Sequence, residues 1–288
     1  MGQNITKNKE PLVSVLIGTY NREQLIHRCL KSIFSQNYNN IEVIVVDDMS
    51  TDYTVEVLKE YKVKYPDRFK YVVNNTNKGI AYNSNLAYSL SSGQYLALIG
   101  DDDEWSDADK IKKQIEIFQK DTSIGLVSTW WLDVIEDKIV KKHTTHIAKD
   151  PIPQILIGNG VYCGSTALIS KKAWNQINGF DENVPRGTDS DLFRRIILEG
   201  FKTYIIEDFT TKVYIDGHIR MTPVNSILSI KKDILSSEIC LKKFAIRFVE
   251  YKDARKQRKK SLVKKYLRLI YRQPNFKNMI NMVKIFKL

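Results

Sequence analysis

Three kinds of feature are scarce or missing in this chain of 288 residues, and each absence narrows the range of functions. The three cysteines, Cys29, Cys163 and Cys240, have no CxxC spacing, so we expect neither a disulfide framework nor a zinc site, and a reducing cytoplasm is the default. No stretch approaches the ~18 uninterrupted apolar residues of a membrane span, and the N-terminus lacks the apolar core of a signal peptide. Walker A, GxGxxG, HExxH and GxSxG motifs are also missing, so P-loop NTPases, dinucleotide oxidoreductases, zincins and serine hydrolases lack their signatures.

Charge is plentiful but unevenly distributed. Residues 231–288 carry 18 Lys and Arg against 4 Asp and Glu, a net charge of +14, whereas the other 230 residues have a net charge of −2. A nucleic-acid-binding body would need a basic surface of its own. Nucleic acid is therefore not an expected partner.

Hydrophobic periodicity predicts an α/β fold with a mostly parallel sheet in the first ~130 residues, because apolar runs alternate there with amphipathic stretches. The predicted strands are 12–20, 41–48, 69–75 and 94–100. The helices that alternate with them are about 25–34, 53–64, 80–92 and 107–120. Beyond residue 120 we expect strands at 124–135, 163–170 and 201–208 and a helix at 189–199, with only helices from about 226 onward.

Polar residues follow the ends of the first four predicted strands. In open α/β sheets ligands gather beyond the carboxyl ends of the strands, so these residues should converge on one crevice. They are the segments 19–22, 47–48, 74–77 and 101–103.

Three successive carboxylates, Asp101, Asp102 and Asp103, directly follow the apolar run 95–99. Adjacent carboxylates repel one another, and charges near a core are costly unless a cation, hydrogen bonds or water compensate them. Mg²⁺ and Mn²⁺ prefer such oxygen ligands, and a divalent ion could join the carboxylates to a diphosphate. The segment therefore predicts a divalent-cation site, with a solvated acidic loop or the first turn of a helix as the alternative.

Two segments carry a resemblance to a known family: PLVSVLIGTYNREQLIHRCLKSIFSQNYNNIEVIVVDDMSTDYT and NNTNKGIAYNSNLAYSLSSGQYLALIGDDDEW. They resemble the nucleotide-sugar half of family 2 glycosyltransferases, inverting enzymes with the Rossmann-like GT-A fold, and the resemblance runs over about residues 11–218. It implies a catalytic domain over 1–225, with a nucleotide-sugar half at about 11–120 and an acceptor half at 121–225, and a basic amphipathic helical tail over 226–288.

The activity that this resemblance implies is transfer of a sugar from a nucleotide diphosphate-sugar to a hydroxyl. A UDP-sugar is the expected donor, and a glycan or a lipid-linked molecule is the expected acceptor. The implied setting is bacterial surface polysaccharide or lipopolysaccharide assembly, in the cytoplasm at the inner face of the cell membrane.

The same resemblance implies roles for individual residues. Asp103 would bind the Mn²⁺ or Mg²⁺ ion, Asp102 would contact the ribose or the metal, and His218 matches a histidine that often reaches the diphosphate or metal. Gly100 stands where the family commonly has Asp, so a second alignment, with Asp101 as the ligand, stays open. The residues implied to bind the nucleotide are Thr19, Tyr20, Asn21, Arg22, Asp47, Asp48, Asn77, Gly79 and Asp102.

The segment NGFDENVPRGTDSDLFRRIILEG (178–200) resembles the acceptor-side motif of the family. Thr188 replaces the usual Glu, and Asp189 falls on the position of the base that deprotonates the acceptor hydroxyl. An inverting displacement needs one such carboxylate across the sugar from the metal. The alternative is that Thr188 and Asp189 only cap the helix that begins there.

Other residues of the second half carry weaker predictions. The aromatic residues Trp130, Trp131 and Tyr162 are candidates for stacking on sugars, although such side chains more often belong to a core. His143 and His146 lie in a polar segment, and we read them as surface residues without partner acids.

Two rival functions are a nucleotidyltransferase and a catalytically silent nucleotide-sugar-binding module. A nucleotidyltransferase also combines an α/β sheet with acidic metal ligands, but it should have a Gly-rich basic loop near the N-terminus, and GTYNREQ is not one. The silent module draws its support from Gly100 and Thr188, the two departures from the family pattern.

The basic tail predicts docking on an anionic membrane surface. Leu262, Val263, Tyr266, Leu267 and Ile270 form an apolar stripe beside lysines and arginines, as in an interfacial helix. The alternative is that the stripe packs on the catalytic domain or on a second copy of the chain, with the basic face in water.

Overall fold

One mixed β-sheet organises the protein. The computed structural model describes residues 10–158, 161–215 and 226–285. In spatial order the nine-stranded sheet runs β3-β2-β1-β4-β8-β6-β9-β5, with β7 paired to β6. The strands are β1 (Val13–Thr19), β2 (Ile41–Asp47), β3 (Phe69–Val73), β4 (Tyr95–Leu98), β5 (Glu104–Trp105), β6 (Ile124–Ile135), β7 (Lys138–His143), β8 (Leu168–Ser170) and β9 (Lys202–Tyr214).

The four strands β1 to β4 are parallel to one another, as predicted. Every residue of β1 and β2 is buried, because helices cover both faces of this half, and this is why these strands read as continuous apolar runs. The parallel arrangement brings the carboxyl ends of the strands to one edge. The helices that follow these strands are α1 (Ile26–Phe34), α2 (Thr54–Lys64), α3 (Ile80–Ser89) and α4 (Lys110–Lys120).

The second half departs further from the prediction. Strand β9 reaches Tyr214, six residues beyond the predicted end, and pairs in parallel with β6. The sequence analysis missed β7, an exposed, lysine-rich strand that follows a turn with positive φ at Glu136 and Asp137. Charged edge strands of this kind lack the apolar alternation on which the prediction rests. The helices of this half are α5 (Ile152–Ile157) and α6 (Lys171–Gln176), both missed, and α7 (Thr188–Leu198), with a 3₁₀ turn at Gly164–Thr166.

The C-terminal region is helical, as predicted, but it packs on the rest of the protein. Its helices share a hydrophobic core with Leu156 of α5 and with the partly buried Leu198 of α7. Leu262 and Tyr266 belong to this core and are 0% and 5% exposed, so the prediction that they face a membrane is wrong: apolar contact with the domain already buries them. The helices are α8 (Ile227–Lys243), α9 (Ala245–Glu250), α10 (Lys252–Arg272) and α11 (Phe276–Lys284).

No helix in the described ranges has the length and apolar composition that a membrane span requires.

A buried lysine lies at the start of α4. Lys110 is 0% exposed, its Nζ donates to Gln114 Oε1 at 2.8 Å, and the ammonium lies 4.4 Å from the centre of the Trp105 ring. Burial lowers the pKa of Lys110 to about 7, because the interior disfavours the charged form. The unfolded chain therefore binds a proton that the folded protein lacks between about pH 7 and pH 10.

We predict that Lys110→Met raises the free energy of unfolding by roughly 1–2 kcal/mol at pH 6, because it removes the cost of a buried charge. The unchanged protein should gain stability as the pH rises from 7 to 10, so the difference between the two proteins should shrink across that window. Urea unfolding of both proteins at each pH measures the difference. A gap that stays constant from pH 6 to pH 10 would contradict the assignment.

Candidate active site

The turn after β1 is bonded to the turn after β2. The backbone amide of Asn21 donates to Ser50 Oγ at 2.8 Å, and Asn21 Oδ1 accepts from the Thr51 amide at 2.8 Å. Asn21 adopts φ 52°, a left-handed conformation that asparagine tolerates better than most residues. The Arg22 amide donates to Thr54 Oγ1 at 2.8 Å. The segment 19–22 is therefore held at the carboxyl edge of the sheet, as predicted for a ligand-binding turn.

The two aspartates at the end of β2 shape the neighbouring loops. Asp47 accepts from the backbone amide of Ser50 at 2.8 Å and from its hydroxyl at 2.5 Å. Asp48 accepts from the backbone amides of Lys78 at 2.7 Å and Gly79 at 2.8 Å. Burial raises the pKa of Asp47, against the effect of these hydrogen bonds. Both carboxylates thus fix loop backbone at this edge.

The loop after β3 lies beside these aspartates. Asn74 Nδ2 donates to Asp48 Oδ1 at 3.0 Å, and the exposed Asn77 reaches the Asp48 carbonyl at 3.4 Å. Gly79 has φ 84°, which lets the chain turn directly into α3. The predicted nucleotide-binding residues of the first three strand ends are therefore neighbours.

The aspartates that follow β4 differ in their surroundings. Asp101 lies 3.6 Å from Arg22 Nε through Oδ1, while its buried Oδ2 has no well-formed hydrogen bond in the described ranges. Asp103 is also buried, and its oxygens accept from the Ser165 hydroxyl and, at 3.1 Å, from the Tyr214 amide. Asp102 is more exposed than either neighbour.

Electrostatic crowding is strong in this segment. Burial, together with the charge of Asp102, raises the pKa of Asp101 to about 7. The same two causes raise the pKa of Asp103 well above its usual range. In the part of the chain described here, no three His, Cys, Asp or Glu side chains converge as a complete metal cage. The carboxylates therefore form an electronegative, incompletely compensated site.

Gly100 gives the carboxylates room. A Cβ at this position would lie 2.9 Å from Asp102 Oδ1 and 3.0 Å from Asp103 Oδ2. Contacts this short force a neighbour to shift, so a larger residue would displace one of the carboxylates. Gly100, which departs from the family pattern, therefore leaves space for the observed packing of Asp102 and Asp103.

A single 3₁₀ turn, Gly164–Thr166, contacts both predicted catalytic elements. Ser165 Oγ accepts from the Gly100 amide at 2.9 Å and donates to Asp103. A Cβ on Gly164 would lie 3.6 Å from Asp189 Oδ2. Asp103 and Asp189 therefore approach adjacent residues of one turn.

Asp189 lies in the first turn of α7. The N-cap position is Gly187, with φ 67° and no side-chain cap, so neither Thr188 nor Asp189 occupies that position. Asp189 Oδ1 accepts from the Ser190 amide at 2.7 Å. Burial raises its pKa, although hydrogen bonds from the backbone of Ser190 and Gly164 oppose the rise. A carboxylate with a raised pKa is a stronger base.

Two further residues that the sequence analysis missed support the aspartate segment. Arg28 of α1 donates to the Asp102 carbonyl at 2.7 Å, and its guanidinium lies 3.4 Å from the centre of the Tyr214 ring. The Tyr214 hydroxyl donates to Glu104 Oε2 at 3.1 Å. The sequence analysis missed Arg28 because it has only the pattern of a polar residue on an amphipathic helix. It missed Tyr214 because this residue lies beyond the predicted end of its strand.

The structure also bears on the predictions for the aromatic residues and the histidines. Trp131 and Tyr162 are buried core residues and Trp130 is partly buried, as the alternative to sugar stacking requires. The prediction that the two histidines lack partner acids is wrong. His143 Nε2 lies 2.7 Å from Asp133 Oδ2, and His146 Nδ1 lies 3.1 Å from Glu207 Oε1, because β6 and β9 bring distant acids beside them. His218 lies outside the described residues.

Comparisons with known proteins identify relatives of this chain. The chain is 32% identical over 212 residues to putative glycosyltransferase EpsE of Bacillus subtilis (strain 168), which covers 73% of this chain and 75% of the relative. It is 28% identical over 197 residues to putative teichuronic acid biosynthesis glycosyltransferase TuaG of the same organism, covering 68% of this chain and 76% of the relative.

Among solved structures, mannosyltransferase PcManGT from Pyrobaculum calidifontis, in complex with GDP-Man and Mn²⁺, has a TM-score of 0.63 at 18% identity. The superposition covers 96% of this chain and 80% of that chain, and it supports the predicted GT-A fold. The family model for glycosyl transferase family 2 matches residues 14–177. Since this match spans more than half of the chain and EpsE is similar over three quarters of its own length, the chain belongs to glycosyl transferase family 2.

Proposed function

We propose that this glycosyltransferase moves a sugar from a nucleoside diphosphate-sugar to an acceptor hydroxyl with inversion at the anomeric carbon. The observation that carries the proposal is the 3₁₀ turn at Gly164–Thr166, against which Asp103 and Asp189 both lie. A metal-binding carboxylate and a basic carboxylate are the two groups that a single displacement requires.

The donor would lie along the carboxyl edge of the sheet, with a UDP-sugar as the expected class. The turn 19–22 and the loops held by Asp47 and Asp48 lie at this edge and would border the donor. Asn77 and Gly79 border the same crevice. PcManGT, which shares the fold, is described in complex with GDP-Man, and this supports a nucleotide-sugar while leaving the base to experiment.

The carboxylates after β4 fit a divalent cation. Their oxygens are hard ligands, Asp101 Oδ2 is buried without a well-formed hydrogen bond in the described ranges, and the crowding of Asp101 to Asp103 would fall in the presence of positive charge. Asp103 and Asp102 would hold Mn²⁺ or Mg²⁺, with Asp101, the ligand of the second alignment, and His218 as further candidates. When bound, the ion would neutralise charge on the diphosphate.

Asp189 would act on the acceptor. Its carboxylate would accept the proton of the acceptor hydroxyl while the hydroxyl oxygen attacks the anomeric carbon on the face opposite the leaving nucleoside diphosphate. Partial burial raises the pKa of Asp189 and thus its affinity for that proton. Arg28 and Ser165 would position the aspartate segment during this step, since they bond Asp102 and Asp103.

The acceptor would be a glycan or a lipid-linked molecule in bacterial surface polysaccharide assembly. The name of TuaG, which refers to teichuronic acid biosynthesis, supports this setting. A catalytically silent nucleotide-sugar-binding module is the alternative. One of its two supports is Gly100, which departs from the family pattern, and the packing of the carboxylates around Gly100 weakens that support.

The first prediction on the site concerns the metal ligand. Asp103→Asn should abolish Mn²⁺-dependent binding of UDP, because loss of a charge that contacts the ion leaves the diphosphate unneutralised. Asp101→Asn should retain most of the binding, because that carboxylate faces Arg22. Calorimetric titration of UDP into each protein, with and without Mn²⁺, measures the difference. Retained Mn²⁺-dependent binding in Asp103→Asn, with or without loss in Asp101→Asn, would remove Asp103 from its role.

The second prediction concerns the base. Asp189→Asn should leave donor and metal affinity nearly unchanged and lower the rate of transfer by roughly 10²-fold or more, as when a positioned general base is removed. The assay measures nucleoside diphosphate release and product formation with a panel of UDP-, GDP- and dTDP-sugars, with and without Mn²⁺. Ser190→Ala is the matched control on the same turn.

Two results of this assay would count against the proposal. Full transfer activity in Asp189→Asn would mean that another group accepts the proton of the acceptor hydroxyl. Donor binding without turnover on any donor, under conditions where relatives are active, would favour the silent module.

The C-terminal helices would dock on an anionic membrane through a surface that shares only Val263 with the predicted stripe. Ile246 and Val249 of α9 are 80% and 61% exposed. A groove of about 620 Å³ beside Val249 is lined by Lys252, Arg255, Lys256, Lys259, Lys260 and Val263. Exposed apolar groups among basic side chains suit the headgroup region of an anionic bilayer.

We predict that replacing four groove lysines by glutamine weakens binding to phosphatidylglycerol vesicles by at least about tenfold, since each cation near the surface adds about 1 kcal/mol. The changes are Lys252→Gln, Lys256→Gln, Lys259→Gln and Lys260→Gln. The control removes the same charge from exposed lysines of the catalytic domain, by Lys64→Gln, Lys112→Gln, Lys120→Gln and Lys138→Gln. Co-sedimentation at low and high salt compares the proteins. Equal binding by both variants, or equal binding to zwitterionic vesicles, would exclude this surface.

A further inference from the structure

A polar cavity of about 190 Å³ lies between α7 and the C-terminal helices, and none of the three successive aspartates that follow β4 lines it. The first turns of α7 form one wall, and α8 and α10 form the other. The side of α7 that faces the cavity carries residues at i, i+3, i+4 and i+7, which share one helix face. The lining includes Gly187, Ser190, Asp191, Arg194, Ser237 and Lys265.

Four cations line this cavity, against two carboxylates. Arg186 and Arg194 come from the acceptor half, and Arg258 and Lys265 come from α10. Since Arg258 and Lys265 are separated by two turns of the same helix, they point to the same side. Helix α10 thus adds two positive charges to a cavity that already contains two others.

The carboxylates in the cavity are already paired with other cations. Asp191 Oδ2 lies 2.8 Å from Arg195 Nε and 2.9 Å from Lys243 Nζ, and its Oδ1 lies 3.8 Å from Arg194. Asp233 lies 3.2 Å from Arg186. Asp191 is therefore shared among three other cations, and Asp233, which is paired with Arg186, offsets the charge of Lys265 only in part.

Arg258 and Lys265 contact only neutral oxygens in the described ranges. Arg258 donates to the Ile157 carbonyl at 2.9 Å, and its buried Nε has no hydrogen-bond partner there. Lys265 donates to Ser237 Oγ at 2.7 Å and to the Asp233 carbonyl at 3.4 Å. The guanidinium of Arg258 also packs against the backbone of Gly158, at a point where a Cβ would collide with it.

The cations in the cavity repel one another. Burial lowers the pKa of Lys265, and the charges of Arg258 and Arg186 lower it further, against the opposing effect of Asp233. Burial also lowers the pKa of Arg258, with Arg194 adding to the effect. Such an arrangement is costly without a negative partner, because an unpaired charge loses hydration and gains no compensating attraction.

We propose that this cavity binds an oxyanion of the phosphate class, held by Arg258 and Lys265. The free Nε of Arg258 and the ammonium of Lys265 supply charge-assisted donors, and guanidinium groups match the geometry of phosphate oxygens. The backbone of the first turn of α7 adds a favourable dipole for an anion, and Gly187 and Ser190 lie on the cavity wall.

The cavity is next to the residue that would deprotonate the acceptor. Gly187, Ser190 and Asp191, which line it, flank Asp189 in the chain. Two sources of the same chemistry are a free phosphate ion and the phosphate ester of a lipid-linked acceptor. The second source rests on the proposed transferase function, whereas the anion site itself does not.

The test measures thermal unfolding of the full chain in chloride buffer without divalent cations, with increasing inorganic phosphate. At a phosphate concentration about tenfold above its Kd, the Tm of the unchanged protein should rise by about 2 °C or more. Arg258→Gln and Lys265→Gln should each lose most of that rise. Because the readout is the change in Tm within each protein, an altered starting stability does not affect the comparison.

Matched controls come from the same helix. Lys264→Gln and Arg268→Gln remove the same charges from exposed positions of α10, and they should respond to phosphate like the unchanged protein. If Arg258→Gln does not fold, Lys265→Gln still decides the question, because Gln can keep the hydrogen bond to Ser237. A phosphate response that is absent from the unchanged protein, or equal in Lys265→Gln and Lys264→Gln, would overturn the proposal.

A second arm separates the two sources. Farnesyl phosphate is compared with inorganic phosphate and with farnesol in the same unfolding assay, below the concentration at which farnesyl phosphate forms micelles. Stronger stabilisation by farnesyl phosphate, lost in Lys265→Gln, would support the anion site with a phosphate ester as its ligand. An equal response to both phosphates, also lost in Lys265→Gln, would support it with free phosphate. Stabilisation by farnesol alone would show an apolar site and would count against the proposal.

UDP binding in the presence of Mn²⁺ should be unchanged in Lys265→Gln. This measurement separates the anion site from the donor site, because failure of the proposed transferase function would alter donor binding or turnover without removing the phosphate response. Loss of UDP binding in Lys265→Gln would mean that the cavity is not a separate site.

Discussion

The repulsion among three successive carboxylates at the end of β4 is the constraint around which the site is organised. Each aspartate has different partners. Asp101 lies beside Arg22, and the backbone carbonyl of Asp102 accepts a hydrogen bond from Arg28. Asp103 accepts hydrogen bonds from Ser165 and Tyr214. These partners come from the turn after β1, from α1, from a 3₁₀ turn and from the last strand. The sheet brings them to one edge, and the raised pKa values of Asp101 and Asp103 indicate that they compensate the charge only in part.

Much of the donor half could be predicted from the sequence, because parallel strands buried on both faces leave long apolar runs and end in polar residues at the same edge. The partners of Asp103 could not be found in this way. Ser165 is 62 residues away in the chain and Tyr214 is 111 residues away, and neither has a local pattern that indicates the contact. Local periodicity specifies where an element lies, whereas contacts between distant elements depend on the order of strands in the sheet.

The C-terminal helices illustrate a different limit of sequence patterns. An apolar stripe indicates that a helix buries one face. A membrane, the catalytic domain or a second subunit could each cover that face. In the structure Leu262 and Tyr266 pack in the hydrophobic core that the C-terminal helices share with α5, while the lysines beside them stay outside it. The prediction of a helix was therefore sound and the identity of its partner was not, since the partner helix α5 has only six residues and little periodicity of its own.

The shared core also limits how this protein can exchange parts with its relatives. Leu156 of α5 contributes to the same core as the helices that begin at Ile227, so part of the core that the C-terminal helices need comes from residues before 226. A chimera that replaced only residues 226–288 would pack different side chains against α5 and leave unfilled space around Leu156. Recombination between homologues should therefore succeed more often when α5 and the C-terminal helices are inherited together.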